Sequence, residues 1–187
     1  LSRISLSSRH GEIRMQTQQA AAGGQPDLPY RRGGAPLATR LADACPPDNI
    51  LLDVPVESAI QLFDLVARHI ERSSGVSAER IRTELTKREQ LGSTGLGQGV
   101  AIPHARVAGL RSAIALFVRA QYPFPFNAPD RKPVREFIVL ALPREDNRAH
   151  LELLADAARC FSERPFRQAS RDALTPDEIH QLMQRTY

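Results

Sequence analysis

The stretch Leu91-Gly-Ser-Thr-Gly-Leu-Gly-Gln-Gly-Val-Ala-Ile-Pro-His-Ala-Arg106 carries most of what this chain discloses about itself. Gly92, Gly95, Gly97 and Gly99 crowd into eight residues. Such a segment reaches positive φ angles and brings backbone N–H groups close to an anion. It is no Walker loop, because no Gly-Lys-Ser/Thr is present after it. A dinucleotide fingerprint needs a strand before and a helix after, and here the order is inverted. Read alone, the glycine segment fits a flexible connection as well as an anion cradle.

The residues just beyond the glycines are more specific. Val100–Ile102 reads as a short buried strand delivering Pro103 and then His104. Proline restricts the chain entering the histidine and removes one backbone donor, so the imidazole is presented from a rigid base. Near its ordinary pKa of about 6.5 an imidazole is largely neutral at pH 7, which leaves one ring nitrogen nucleophilic. A histidine that attacks a phosphoryl donor forms an N–P bond that stays transferable. The transferring group must be met by positive charge. Arg88, just before the glycines, supplies a planar donor fork; Arg106 is nearer in sequence. His150 falls in the first turn of a helix expected after Asn147, where the positive helix end favours a neutral imidazole or an anion. Each residue also has a plainer reading. Lys87-Arg88-Glu89 resembles a solvated helix face, His150 a helix-end decoration, and His104 a lone histidine. His69 and His180 lie inside helices and read as structural.

Outward from this core the chain is regular. Ala59, Leu62, Phe63, Val66, Ala67 and Ile70 form one apolar stripe at helical spacing. Ser77 caps a second helix carrying Ile81 and Leu85 and stopping at Gly92. Ala113–Val118 and Phe137–Leu142 read as buried strands, joined by a Pro-rich connection, Tyr122–Phe126 and Asn127–Asp130, unsuited to a central strand. Beyond Asn147 a helix is expected with Leu151, Leu154, Ala155 and Ala158 on one side. A shorter one begins near Pro165. Thr175-Pro-Asp-Glu178 is a capping box with proline at the first helical position. This order implies an α/β layered domain with its sheet covered by helices.

Composition sets bounds. The 187 residues suit one domain with some excess, and 42% are apolar, enough for a core. The expected division is a disordered extension over 1–35, without apolar periodicity, and one folded domain over 36–187. Leu1 is no start residue, so the expected beginning is Met15 or upstream. The net charge of +4 is uneven: residues 1–35 carry +3, leaving about +1 for the rest and no electrostatic footprint for nucleic acid. No apolar run approaches the ~18 residues of a membrane span, so a soluble chain without direct membrane insertion is expected. Cys45 and Cys160 fit no metal-ligand spacing and read as reduced thiols of a cytoplasmic protein. A metal site from His104, His150 and Cys160 lacks accompanying carboxylates or thiolates.

The string Arg88-Glu-Gln-Leu-Gly-Ser-Thr-Gly-Leu-Gly-Gln-Gly-Val-Ala-Ile-Pro-His-Ala-Arg106 closely resembles the signature of the enzyme IIA domains of the fructose, mannitol and nitrogen phosphotransferase systems. The likeness runs from about Ala38 to Tyr187 and includes Pro47-Asp-Asn-Ile-Leu-Leu-Asp53; Ala105 stands where glycine is often found. The resemblance implies that His104 is the phosphorylated residue, usually through Nε2. It likewise implies that Arg88 is the active-site arginine, and that His150 in Arg-Ala-His-Leu-Glu-Leu-Leu is the second active-site histidine. It further implies a three-layer α/β/α sandwich around a mixed sheet and no cofactor. Leu-Gly-Ser-Thr-Gly-Leu-Gly and Pro-Pro-Asp-Asn-Ile look like the nitrogen-type branch, whose members stand alone without a fused IIB or membrane IIC partner. The partners implied are a histidine-containing phosphocarrier protein and regulated transporter or sensor-kinase targets. Two other readings remain: a fructose- or mannitol-type IIA subunit serving a permease IIB domain, and a binding module that has lost its chemistry.

Overall fold

A computed structural model describes residues 37–144 and 147–185, with side chains from residue 41 onward except those of 147–150. The expected extension over 1–35 lies outside them. Among the described residues, six strands and six α-helices come in the order α1 (Leu37–Ala44), β1 (Ile50–Val54), α2 (Ala59–Ser74), α3 (Ala78–Gln90), β2 (Gly95–Gly97), β3 (Val100–Ala101), β4 (His104–Val107), β5 (Ile114–Phe124), β6 (Val134–Pro143), α4 (Asn147–Ser162), α5 (Arg164–Asp172) and α6 (Pro176–Arg185).

The strands form one mixed sheet in the order β1-β5-β6-β3-β2, with β4 also paired to β6. β1 runs parallel to β5, β5 antiparallel to β6, and β3 and β4 both parallel to β6. Side chains alternate across β6, and the alternation decides the layers. Phe137, Val139 and Ala141 pack with Leu62, Phe63, Val66 and Ile70 of α2 and with Ile81 and Leu85 of α3. Ile138, Leu140 and Leu142 pack with Leu41 of α1, Leu153 and Phe161 of α4, Phe166 of α5 and Ile179 of α6. Helices thus cover both faces, giving the expected three-layer sandwich, and the central strands read as unbroken apolar runs because both faces are buried.

The helix starts match their capping residues. Ser58 and Ser77 accept from the N–H of Gln61 and Arg80, and α2 ends at Gly75 in the left-handed conformation (φ 72°). At α6 the reciprocal box forms: Glu178 N–H donates to Thr175 Oγ1, and Glu178 Oε2 accepts from the N–H groups of Leu174 and Thr175.

Four expectations need correction. β5 runs past Val118 to Phe124, through Pro123; its ladder with β6 shifts between Arg119 and Phe124, and residues 121–123 are exposed, so the proline takes no donor from the central ladder. The strand expected over Val100–Ile102 covers only Val100–Ala101, as β3, and resumes after a break as β4 at His104. Part of the glycine segment is itself strand, β2, paired antiparallel with β3. The buried side of α4 is Leu153, Ala157, Cys160 and Phe161, while Leu151 is 68% exposed. The buried Asp156, 1% exposed, sits on that same side and hides it from an apolar count.

Candidate active site

β3 and β4 lie in line along β6, and the break between them presents the histidine. Val100 and Ala101 pair with Glu136 and Phe137, then His104 through Val107 pair with Leu140 through Pro143. Pro103 has no N–H to offer, but its carbonyl accepts from Leu140 N at 2.9 Å, so the ladder to β6 survives the interruption. Within β4, Ala105 and Val107 enter the core beneath α2 and α3, whereas His104 is half-buried and Arg106 exposed.

Two bonds fix the state of the imidazole. His104 Nδ1 lies 2.9 Å from the carbonyl oxygen of Ile102, and Arg88 Nε lies 3.0 Å from His104 Nε2. A carbonyl only accepts and a guanidinium only donates. Nδ1 therefore carries the ring proton, and Nε2 turns its lone pair toward the arginine. Burial is the main force holding the pKa of His104 below its ordinary value. The Ile102 bond opposes it, and the positive charge of Arg88 adds to it. The ring is neutral at pH 7.

Arg88 reaches His104 from the last turn of α3. Its second anchor is Gly92, whose carbonyl oxygen accepts from Nη1 at 3.0 Å. The turn that brings Gly92 there is held by the neighbouring residue. Glu89 Oε1 accepts from the N–H of Thr94 at 3.0 Å, and Glu89 Oε2 accepts from Thr94 Oγ1 at 2.6 Å. The Thr94 carbonyl oxygen in turn accepts from Ile102 N at 3.1 Å. A glycine is required at Gly95, because a Cβ there would lie 2.9 Å from the Cα of Ala128. The structure thus brings Arg88 and His104 together. Arg106, the nearer arginine in sequence, is exposed on β4. His150 stands in the first turn of α4, which comes directly after the β6 end paired with β4; its side chain lies outside the described residues. Sequence reasoning misses Glu89 and Thr94, whose one signal is a threonine five residues after a helix-end carboxylate. His69 and His180 are held in structural hydrogen bonds, His69 Nε2 with Asn49 Oδ1 at 3.0 Å and His180 Nε2 with the Ala42 carbonyl at 3.2 Å.

No described helix is long and apolar enough to cross a membrane. Cys45 and Cys160 are buried free thiols, and burial pushes Cys45 up to about 12.

Residues 44–186 match the family described as phosphoenolpyruvate-dependent sugar phosphotransferase system, EIIA 2. A nitrogen regulatory protein of Pseudomonas aeruginosa is 34% identical over 145 residues, covering 77% of this chain and 94% of that one. The crystal structure of the nitrogen regulatory protein IIA-Ntr from Neisseria meningitidis superposes with a TM-score of 0.73 at 38% identity, over 76% of this chain and 98% of that one. IIA mannitol from Escherichia coli shares the fold, with a TM-score of 0.63 at 17% identity over 74% and 97% of the two chains. The chain therefore belongs to the EIIA 2 family of the phosphotransferase system and is of the nitrogen-regulatory type.

Proposed function

We propose that this protein accepts a phosphoryl group on Nε2 of His104 from a histidine-containing phosphocarrier protein and regulates transporter or sensor-kinase targets by its phosphorylation state. One observation carries the reading: a neutral, half-buried imidazole whose Nδ1 proton is engaged by a backbone carbonyl and whose Nε2 meets a guanidinium. In the transfer, the Nε2 lone pair forms a bond to phosphorus as the donor's N–P bond breaks, its electron pair returning to the donor nitrogen. The proton stays on Nδ1, donated to the Ile102 carbonyl oxygen, which also stabilises the positive charge the ring acquires. Arg88 exchanges its contact with Nε2 for contacts with the phosphoryl oxygens, where charge is spread in a loose transition state. His150, at the start of α4, is the accessory imidazole, placed where backbone N–H groups and the helix dipole favour an anion.

The family's description favours a second reading, in which the phosphoryl group passes to the IIB domain of a sugar permease. Labelling with phosphoenolpyruvate, the system's first enzyme and a histidine-containing carrier tests both. The label should appear in the wild type and vanish in His104→Ala, and added fructose- or mannitol-type IIB should not discharge it. Label retained by His104→Ala removes the site assignment; rapid discharge to IIB selects the sugar reading.

A further inference from the structure

We propose that Glu89 is a positioning residue: by gripping Thr94 it holds the Arg88-bearing end of α3 and the strand that presents His104 at the separation where the two side chains touch. The inference rests on the reading of His104 as phosphoryl acceptor for its rate prediction, and on geometry alone for the rest.

Arg88 and His104 belong to different elements, and neither α3 nor β4 by itself sets the distance between them. Apolar packing of Ile81 and Leu85 with Ala105 and Val107 seats α3 over β4, and a short run of polar contacts fixes the end of the helix that carries Arg88. Both oxygens of the Glu89 carboxylate are used on one residue, Thr94, through its N–H (3.0 Å) and its hydroxyl (2.6 Å). Thr94 is 7% exposed, so these bonds are shielded from water. Its carbonyl takes the N–H of Ile102 at 3.1 Å, and the carbonyl of Ile102 takes the Nδ1 proton of His104 at 2.9 Å. The path from the helix end to the imidazole is thus hydrogen-bonded throughout. The residue beside Glu89 is Arg88, whose Nη1 is bonded to Gly92, inside the turn that the Glu89–Thr94 clasp closes. Loosening the clasp frees that turn and Arg88 with it.

The function this serves is distance. A guanidinium displaced by ~1 Å from a transferring group costs on the order of 100-fold in rate. It also ceases to press on the imidazole electrostatically. That second consequence separates positioning from plain stabilisation. Arg88 helps to hold the His104 pKa down, so its withdrawal raises that pKa. Deleting the negative charge of Glu89 would by itself act in the opposite direction and lower it. A rise on removal of a carboxylate therefore identifies movement of Arg88.

The test is an NMR titration of His104 in the full chain, for the wild type, Glu89→Ala, Glu89→Gln, Arg88→Ala and the double variant Arg88→Ala/Glu89→Ala. The expected result is a pKa raised in Glu89→Ala in the same direction as in Arg88→Ala, with no further rise in the double variant. Glu89→Gln should show no rise above wild type, because its amide oxygen accepts from the Thr94 N–H and its NH2 donates to the hydroxyl, so the clasp is kept and only the charge is lost. In the labelling reaction Glu89→Ala should lower the maximal rate by about 10- to 100-fold at unchanged KM for the carrier. Should Glu89→Ala fail to fold, Thr94→Val, which removes only the hydroxyl bond, is read in its place and should shift the pKa upward by a smaller amount. A His104 pKa that is unchanged or lowered in the folded variant overturns the proposal. The titration requires no phosphoryl donor, so an absence of labelling in the wild type would count against the proposed function and not against the clasp.

Discussion

At the scale of single residues, the state of His104 has consequences for both stability and chemistry. Its folded pKa lies below the ordinary value, so as pH falls the unfolded chain takes up its proton before the native one does. Stability contributed by the neutral ring is present above pH ~6.5 and is lost as the pH falls through that value toward the folded pKa. Urea unfolding at pH 7.5 and 5.5 should therefore show a larger loss for the wild type than for His104→Asn, which has no titrating ring. Arg88 is half-buried and bonded to a side chain and a carbonyl near the surface, so Arg88→Ala should cost under about 1 kcal/mol of stability. The same substitution should slow phosphoryl transfer by about 100-fold or more, since it removes charge stabilisation from the transition state. Both residues stand out in the sequence through Ile102-Pro103-His104 and its glycine prelude, whereas Glu89 does not: within Lys87-Arg88-Glu89 a carboxylate bonded to the fold looks the same as one bonded to water.

At the scale of elements, the glycine segment is a fitted piece of sheet. β2 packs so closely on the 125–130 loop that the Cβ of an alanine at Gly95 would meet Ala128 backbone at 2.9 Å. Gly95→Ala should destabilise by about 1–3 kcal/mol through overpacking, measurable as a lowered urea midpoint with an unchanged slope. The turn into β3 places Gln98 and Gly99 at φ 59° and 81°, both left-handed, as a two-residue hairpin turn demands. Helices α2, α3 and α6 are legible in the sequence because stripe and cap coincide in each. α1 and β1 are not: an eight-residue helix and a five-residue strand are too short for periodicity to separate from their surroundings. β5 hides its length behind Tyr122-Pro-Phe, because a proline beyond a ladder shift is locally indistinguishable from one in a loop.

At the scale of the whole molecule, a polar knot ties together elements that one apolar cluster also joins through Ile50, Phe117, Phe166 and Ala173. Arg119, 3% exposed, donates from Nε and Nη2 to the two carboxylate oxygens of Asp53 at 2.9 and 2.6 Å, and from Nη1 to the carbonyls of Ser170, Arg171 and Ala173. It thereby ties β1 to β5 and both to the end of α5. The Arg119 bond is the main cause that holds the Asp53 pKa below the usual carboxylate range. Arg119→Met should cost about 3 kcal/mol, because it leaves buried carbonyls without donors, and should be read from denaturant unfolding. No periodicity announces this knot, since its members come from three segments that only the fold assembles.

The proposed function stands on one imidazole nitrogen, aimed at Arg88, taking the phosphoryl group. Mass spectrometry of the chain after reaction with phosphoenolpyruvate, the first enzyme and a histidine-containing carrier puts this to the proof, with the modified residue localised by fragmentation under conditions that spare N–P bonds. The expected product carries one phosphoryl group per chain, on His104. A phosphoryl group on any other residue, or none with an active carrier present, would refute the assignment.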